Sequence, residues 1–169
     1  MILDMSDAPR ALIADCTKNL SMPDSEGGNS APEVYDAFVP KKRRGETEPK
    51  LPFVVVRPSK GNDEAPSDGA YQSTVEAMIL IAVHRPDEEG YRDVVTILEK
   101  IRLKLLSYPV FGKRYQVERP ITWEISEDDT WPNWYGVVTL QITIPQPVEL
   151  DNLNDSGLIY AETYPSGRP

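Results

Sequence analysis

The sequence predicts an α/β fold of the α+β kind: a mostly antiparallel β-sheet packed on one face by amphipathic helices, in a single domain with extended loops and a C-terminal arm. Three observations carry this. Residues 72–84, 113–126 and 134–145 alternate apolar and polar side chains, the period of two that strands show. Residues 88–106 repeat apolar side chains at helical spacing instead. Polar stretches rich in proline, glycine and serine separate these runs. The 16 prolines among 169 residues are about twice the usual share of roughly 5%, and they mark connectors. The domain is placed at 1–147 and the arm at 148–169. A chain of this size buries roughly 70% of its unfolded surface, so it needs no staple.

The first element is a short helix over 8–20. Ser6 or Asp7 caps it, and Pro9 suits its first turn. Leu12, Ile13, Cys16 and Leu20 form its apolar stripe. "SMPDSEGGNSAP", 21–32, reads as a polar loop and "EVYDAFV", 33–39, as a strand. "PKKRRGETEPKLP", 40–52, is a charged connector. "FVVVRP", 53–58, is a short strand, and "SKGNDEAPSDGA", 59–70, is a second polar loop. In the strand 72–84, Val75, Ala77, Ile79, Ile81 and Val83 share one face. Met78 and Leu80 make the other face apolar too, which places this strand centrally or under cover on both sides.

The helix over 88–106 has acidic residues at its start and Lys104 near its end, matching the macrodipole. Val94, Leu98, Ile101 and Leu105 form its stripe, with Tyr91 and Tyr108 flanking that core; Arg92, Glu99 and Lys100 point away. In 113–126, Tyr115, Val117, Ile121, Trp123 and Ile125 face inward, and Pro120 forces a break, bulge or edge. In 134–145, Val138, Leu140, Ile142 and Ile144 face inward. One polar face on each run argues for antiparallel pairing. The tail has little period and an isolated "LIY" at 158–160; it is an arm ordered only where something holds it.

Composition excludes several classes. With 18 basic and 27 acidic residues the net charge is −9, so there is no domain-wide basic footprint for nucleic acid. No stretch nears the roughly 20 apolar residues of a membrane span. The start, "MILDMSDAPRAL", has Asp4 and Asp7 where a signal peptide wants positive charge. The expectation is a soluble protein made in a cytoplasm. Cys16 is the single cysteine, so there is no disulfide framework, and it reads as a small core residue.

The sequence shows no catalytic set. Glu127, Asp128 and Asp129 are consecutive, so their side chains diverge. A calcium loop alternates its oxygen ligands around a glycine, and this stretch does not. A glycosidase pair faces across from separate elements. The plain reading is a solvated hairpin tip, with Trp131 and Trp134 beside it as candidates for partner contact. Lys41, Lys42, Arg43 and Arg44 give residues 41–50 five positive and two negative charges. That is a solvated loop or a dock for phosphate or an acidic neighbour. His84 is the only histidine and lacks the companions a zinc site needs. No P-loop, G-x-G-x-x-G or G-x-S-x-G is present. No cofactor, metal or catalytic residue is expected, and the reading is not an enzyme.

The order of pieces is itself a signal. "VVVRP" leads through a polar loop to "STVEAMILIAVH", then "EEGYRDVVTILEKIR", "ERPITWEI" and "WPNWYGVVTLQITIP". Over 51–147 this resembles the tail-completion, or tail terminator, proteins of long-tailed bacteriophages and prophages. The resemblance implies a homo-oligomeric ring, a hexamer, seated on the last ring of the tail tube protein. Such a ring stops tube growth and offers a surface to a neck or head-completion protein. It implies a virion protein of the head–tail junction, assembled in the host cytoplasm. Genomic DNA would pass through the lumen without specific binding, and no membrane is involved. The family offers no catalytic residues to carry over. Residues 21–50 and those after Pro147 depart from the pattern, so it does not assign the ring contacts.

Candidate contacts with neighbouring subunits or rings come from exposure and composition: Lys41, Lys42, Arg43, Arg44, Lys60, Asp63, Glu64, Glu127, Asp128, Asp129, Trp131 and Trp134. The alternative within the class is a head–tail connector, a neck or head-closure protein. Outside it stand a small nucleic-acid-binding module using 41–44, which would bind DNA with a steep salt slope, and a hydrolase using the carboxylates at 127–129.

Overall fold

The computed structural model describes residues 2–39, 49–63, 72–112, 115–126 and 130–145. Helix α1 spans Ile2–Thr17 and α2 spans Gly90–Ser107. The strands are β1 (Met22–Pro23), β2 (Asn29–Ser30), β3 (Glu33–Asp36), β4 (Phe53–Asp63), β5 (Gln72–His84), β6 (Val110–Phe111), β7 (Tyr115–Ile125) and β8 (Asn133–Pro145). β1 and β2 form a small hairpin, and the other six strands form one sheet in the order β3-β4-β5-β8-β7-β6. Every neighbour pair in that sheet is antiparallel except β3 with β4. The predicted α+β class is the observed one.

Register explains the core. Val54, Ile81 and Gly136 lie side by side across β4, β5 and β8, and Val56, Ile79 and Val138 form the next row. Side chains directly opposite share a face. These rows are buried with Ile13 of α1 and with Val94, Ile97, Leu98, Ile101 and Leu105 of α2. Both helices therefore cover the same face. α1 lies over β3, β4 and β6, α2 over β5, β7 and β8, and the helices touch. Gly136 lets α2 settle close: a Cβ there would stand 2.7 Å from Val94 Cγ1.

Among the described residues no helix covers the opposite face. Val55 and Ala82 are nonetheless buried there. Tyr35 and Phe53 meet edge to face at 5.9 Å, and the Arg57 guanidinium lies 5.9 Å above the Phe38 ring.

Several local expectations need correction. α1 begins at Ile2 and holds Pro9 in its interior. The missing N–H is tolerated because the ring is buried against the gap lined by Leu12, Ile13, Leu105 and Phe111. Residues 21–32 are not all loop, since β1 places Met22 in the core. Residues 59–63 continue β4 rather than forming a loop. Ile97, outside the expected stripe, is fully buried. Tyr91 and Tyr108 are exposed rather than flanking the core; Tyr108 lies past the end of α2, its ring 4.6 Å from Lys104 Nζ. Trp123 is 55% exposed. It stands opposite Val138, so its face was read correctly, but β7 lies toward the margin of the sheet and the helix layer leaves the indole half bare.

Candidate interaction surfaces

The β4–β5 hairpin forms a polar arm. Up to Pro58, β4 contributes to the core; from Pro58 to Asp63 every residue is exposed. The register slips between Pro58 and Lys60, which places Ser59 in a bulge. The Ser59 hydroxyl reaches the Glu76 carbonyl oxygen at 3.2 Å and its carboxylate Oε1 at 2.9 Å. Lys60 Nζ lies 3.1 Å from Glu76 Oε2. The Ser59 hydrogen bond, and after it the Lys60 ammonium, hold the Glu76 carboxyl below the usual carboxylate range. Further out, the Ser73 hydroxyl donates to Asp63 Oδ1. β3 pairs only with the segment Phe53 to Val56. Among the described residues, the other edge of β4 beyond Pro58 therefore meets no strand.

A second surface lies at the opposite end of β5. Trp131 and Trp134 both reach the turn between β5 and α2. Trp134 Nε1–H donates to Arg85 O at 3.0 Å and Trp131 Nε1–H to Pro86 O at 3.2 Å. The Arg85 N–H donates back to Pro132 O at 2.8 Å. Arg85 also pairs with Asp87 at 2.7 Å and Asp93 at 2.9 Å, and these two carboxylates raise its pKa, Asp93 foremost. His84 Nδ1 and Asn133 Oδ1 share a hydrogen bond at 2.9 Å. Trp134 is partly buried, its ring against Gly90, and packs on the core; Trp131 is 62% exposed. One tryptophan thus holds the turn from within. The other is tied at its nitrogen and offers its ring to solvent.

Of the residues singled out in the sequence, Lys60 and Asp63 lie on the arm, while Trp131 and Trp134 lie at the clamped turn. The two pairs sit at opposite ends of β5 and do not form one site. Lys41, Lys42, Arg43, Arg44, Glu64, Glu127, Asp128, Asp129 and the arm 148–169 lie outside the described residues. Sequence reasoning missed Ser59, Ser73 and Glu76, which order the arm. Their signal was present: Ser73, Thr74 and Glu76 make the first third of β5 polar, and a polar strand needs a polar partner.

Cys16 is half-buried on α1, its thiol donating to Ile13 O at 3.1 Å. Burial pushes the thiol up to about 11. Among the described residues no group of three or more His, Cys, Asp or Glu is placed to hold a metal ion, and no helix is long and apolar enough to cross a membrane.

These observations define the class, an α+β protein with one six-stranded mixed sheet and two helices on one face. Compared with known protein families and with curated proteins, the chain matches none.

Proposed function

We propose that this protein is a virion structural protein, a tail terminator. In this reading copies of the chain form a ring that caps the tail tube, stops its polymerisation and presents the surface to which the neck or head attaches. Genomic DNA passes through the ring without specific contact.

The observation that carries the reading is where the resembling phrases fall. "EEGYRDVVTILEKIR" is the turn and first two-thirds of α2, "ERPITWEI" is most of β7, and "WPNWYGVVTLQITIP" runs from the clamped turn through β8. These elements belong to one layer pair, α2 lying over β7 and β8, so the likeness follows a folded unit rather than scattered words. The β4–β5 arm adds support. A ring requires a heterologous contact, with different patches on the two sides of each subunit. A polar arm projecting past the core, with one strand edge open, is suited to reach a neighbour.

The test is electron microscopy of particles made by a phage lacking this gene. Overlong tails, or finished tails that never join filled heads, are the expected result. Normal tails beside heads that leak DNA would replace the terminator with a neck protein. Particles normal in every respect would end the structural reading.

A further inference from the structure

β7 pairs with β8 along one side; among the described residues only β6 meets its other side, pairing at Tyr115 and Gln116. Backbone polarity beyond that point follows from two hydrogen bonds. Ser126 N–H donates to Tyr135 O at 3.0 Å, toward β8. Successive residues of a strand point their backbone groups to alternate sides. Ile121, Trp123 and Ile125 therefore turn their N–H and C=O away from β8. Val117, whose N–H donates outward to Pro109 O at 2.7 Å, has the same parity. Among the described residues no strand meets Ile121, Trp123 or Ile125 on that side.

This edge differs from the open edge of the β4 arm, which is polar and fully exposed. Here Ile121 and Ile125 are partly buried against the core, and Trp123 between them is 55% exposed on the helix-bearing face. Pro120, the residue type that often guards an edge, lies upstream of these three, within the register shift. An unguarded edge beside a half-bare indole takes an extended strand. Its backbone supplies the hydrogen bonds and its alternate side chains cover the ring.

The chain holds a segment of that chemistry. After β8 come residues 146–169, and within them "LIYAETY", 158–164, is bounded by Gly157 and Pro165. β-branched and aromatic residues between turn formers are a strand signal. Leu158 and Tyr160 fall on one side of such a strand and Ile159 and Ala161 on the other, so either orientation lays apolar side chains on Trp123.

The donor is a neighbouring copy. β8 ends at Pro145, opposite Gln72, at the end of the sheet where Gln116 stands beside Thr143. A strand from the same copy and parallel to β7 would enter at Tyr115 and Gln116, where β6 already holds the edge; one antiparallel to β7 would run parallel to β8. It would first have to cross back along the sheet. Such crossovers take a dozen or more residues and usually a helix. The 12 residues available, "QPVELDNLNDSG", only just reach that length, and they hold Pro147 and Gly157 and no helical period. A second copy has no such constraint.

We infer that residues 158–164 of one copy add as a strand to the open edge of β7 in a neighbouring copy, pairing with Ile121, Trp123 and Ile125 and covering the Trp123 indole. Donor and acceptor are different parts of the chain, so the contact is heterologous and builds a ring or a filament. The inference does not depend on the tail-terminator reading, because any oligomer of this chain can use it.

Three preparations test it by sedimentation equilibrium: the full chain, the chain ended after Ser156, and full-length Ala161→Pro. The full chain should self-associate, and both variants should do so about 100-fold or more weakly, with unchanged far-UV circular dichroism. A synthetic peptide of residues 156–166 should bind the shortened chain saturably and shift its tryptophan emission to the blue. That shift should vanish with Trp123→Phe. Equal assembly of the full and shortened chains, or of the wild type and the proline variant, would overturn the inference. So would a peptide that does not bind. A monomeric full chain whose shortened form still binds the peptide would assign the strand to its own copy and overturn the neighbour.

Discussion

Gly90→Ala tests how α2 is seated. Gly90 is the first residue of the helix and lies under the Trp134 ring. A Cβ there would stand 2.1 Å from both Cδ1 and Nε1 of that indole and 2.6 Å from Cε2. The ring has little room to retreat, because its Nε1–H is bonded to Arg85 O at 3.0 Å and it packs against the core. Forcing a methyl group into a filled site costs about 1–3 kcal/mol. Losing the indole hydrogen bond adds about 1 kcal/mol. Alanine returns up to about 1 kcal/mol of helix propensity in a helix interior, and less at the first residue. The expected net loss is about 1–3 kcal/mol.

Urea unfolding of the wild type and Gly90→Ala reads this as a lower midpoint at unchanged slope. The informative control is the same substitution in a Trp134→Leu background. There the obstacle is gone, and Gly90→Ala should be neutral or slightly stabilising. The two residues should therefore couple by about 1–3 kcal/mol. If Gly90→Ala were as stable as the wild type, or lost the same amount in both backgrounds, the contact between Gly90 and Trp134 would not be what seats the helix.

Two further expectations follow from burial. Ile101 is fully buried and Leu103, two residues on, is 49% exposed. Ile101→Ala should cost about 2–5 kcal/mol, whereas Leu103→Ala should stay within about 0.5 kcal/mol, and thermal melts of the pair would separate them. The Cys16 thiol, raised by burial to about 11 from an ordinary 9.0, should resist iodoacetamide at neutral pH in the folded protein and react promptly once it is unfolded. Because the unfolded thiol loses its proton first, this group's stabilising contribution is whole below pH 9.0 and declines as pH rises through about 11. Prompt alkylation of the folded chain at neutral pH would refute the burial.

The layers were legible in the sequence because each has a face to bury. β5 is the predicted 72–84 run, and β8 departs from its predicted run by a single residue. α2 was legible from its stripe. What escaped was whatever depends on a distant partner. Residues 59–63 are polar on both faces, so no local period marks them; they are a strand because polar residues at the start of β5 pair with them. The parallel pairing of β3 with β4 is likewise a property of two separate segments. Ser6, Asp7 and Pro9 suggest a helix start, yet the helix begins at Ile2, since burial of the proline ring outweighs one lost donor. For Trp123 the face was readable and the extent of cover was not. Alternation states which way a side chain points, while cover depends on how far the neighbouring helix reaches.

The same distinction separates the core from the surfaces that carry the proposals. Substitutions in the rows around Ile79 and Val138 act on stability, because both helices close over them. The arm beyond Pro58, the ring of Trp131 and the edge at Trp123 lie outside that closure. They are nonetheless held by it: the arm continues β4 and β5, Trp131 is tied to the turn before α2, and Trp123 sits in the strand beside β8. A contact surface of this kind is ordered before any partner arrives, so association need not include the cost of folding it. Substitutions at Trp123 and on the arm should therefore alter assembly more than melting temperature, the reverse of Ile101→Ala.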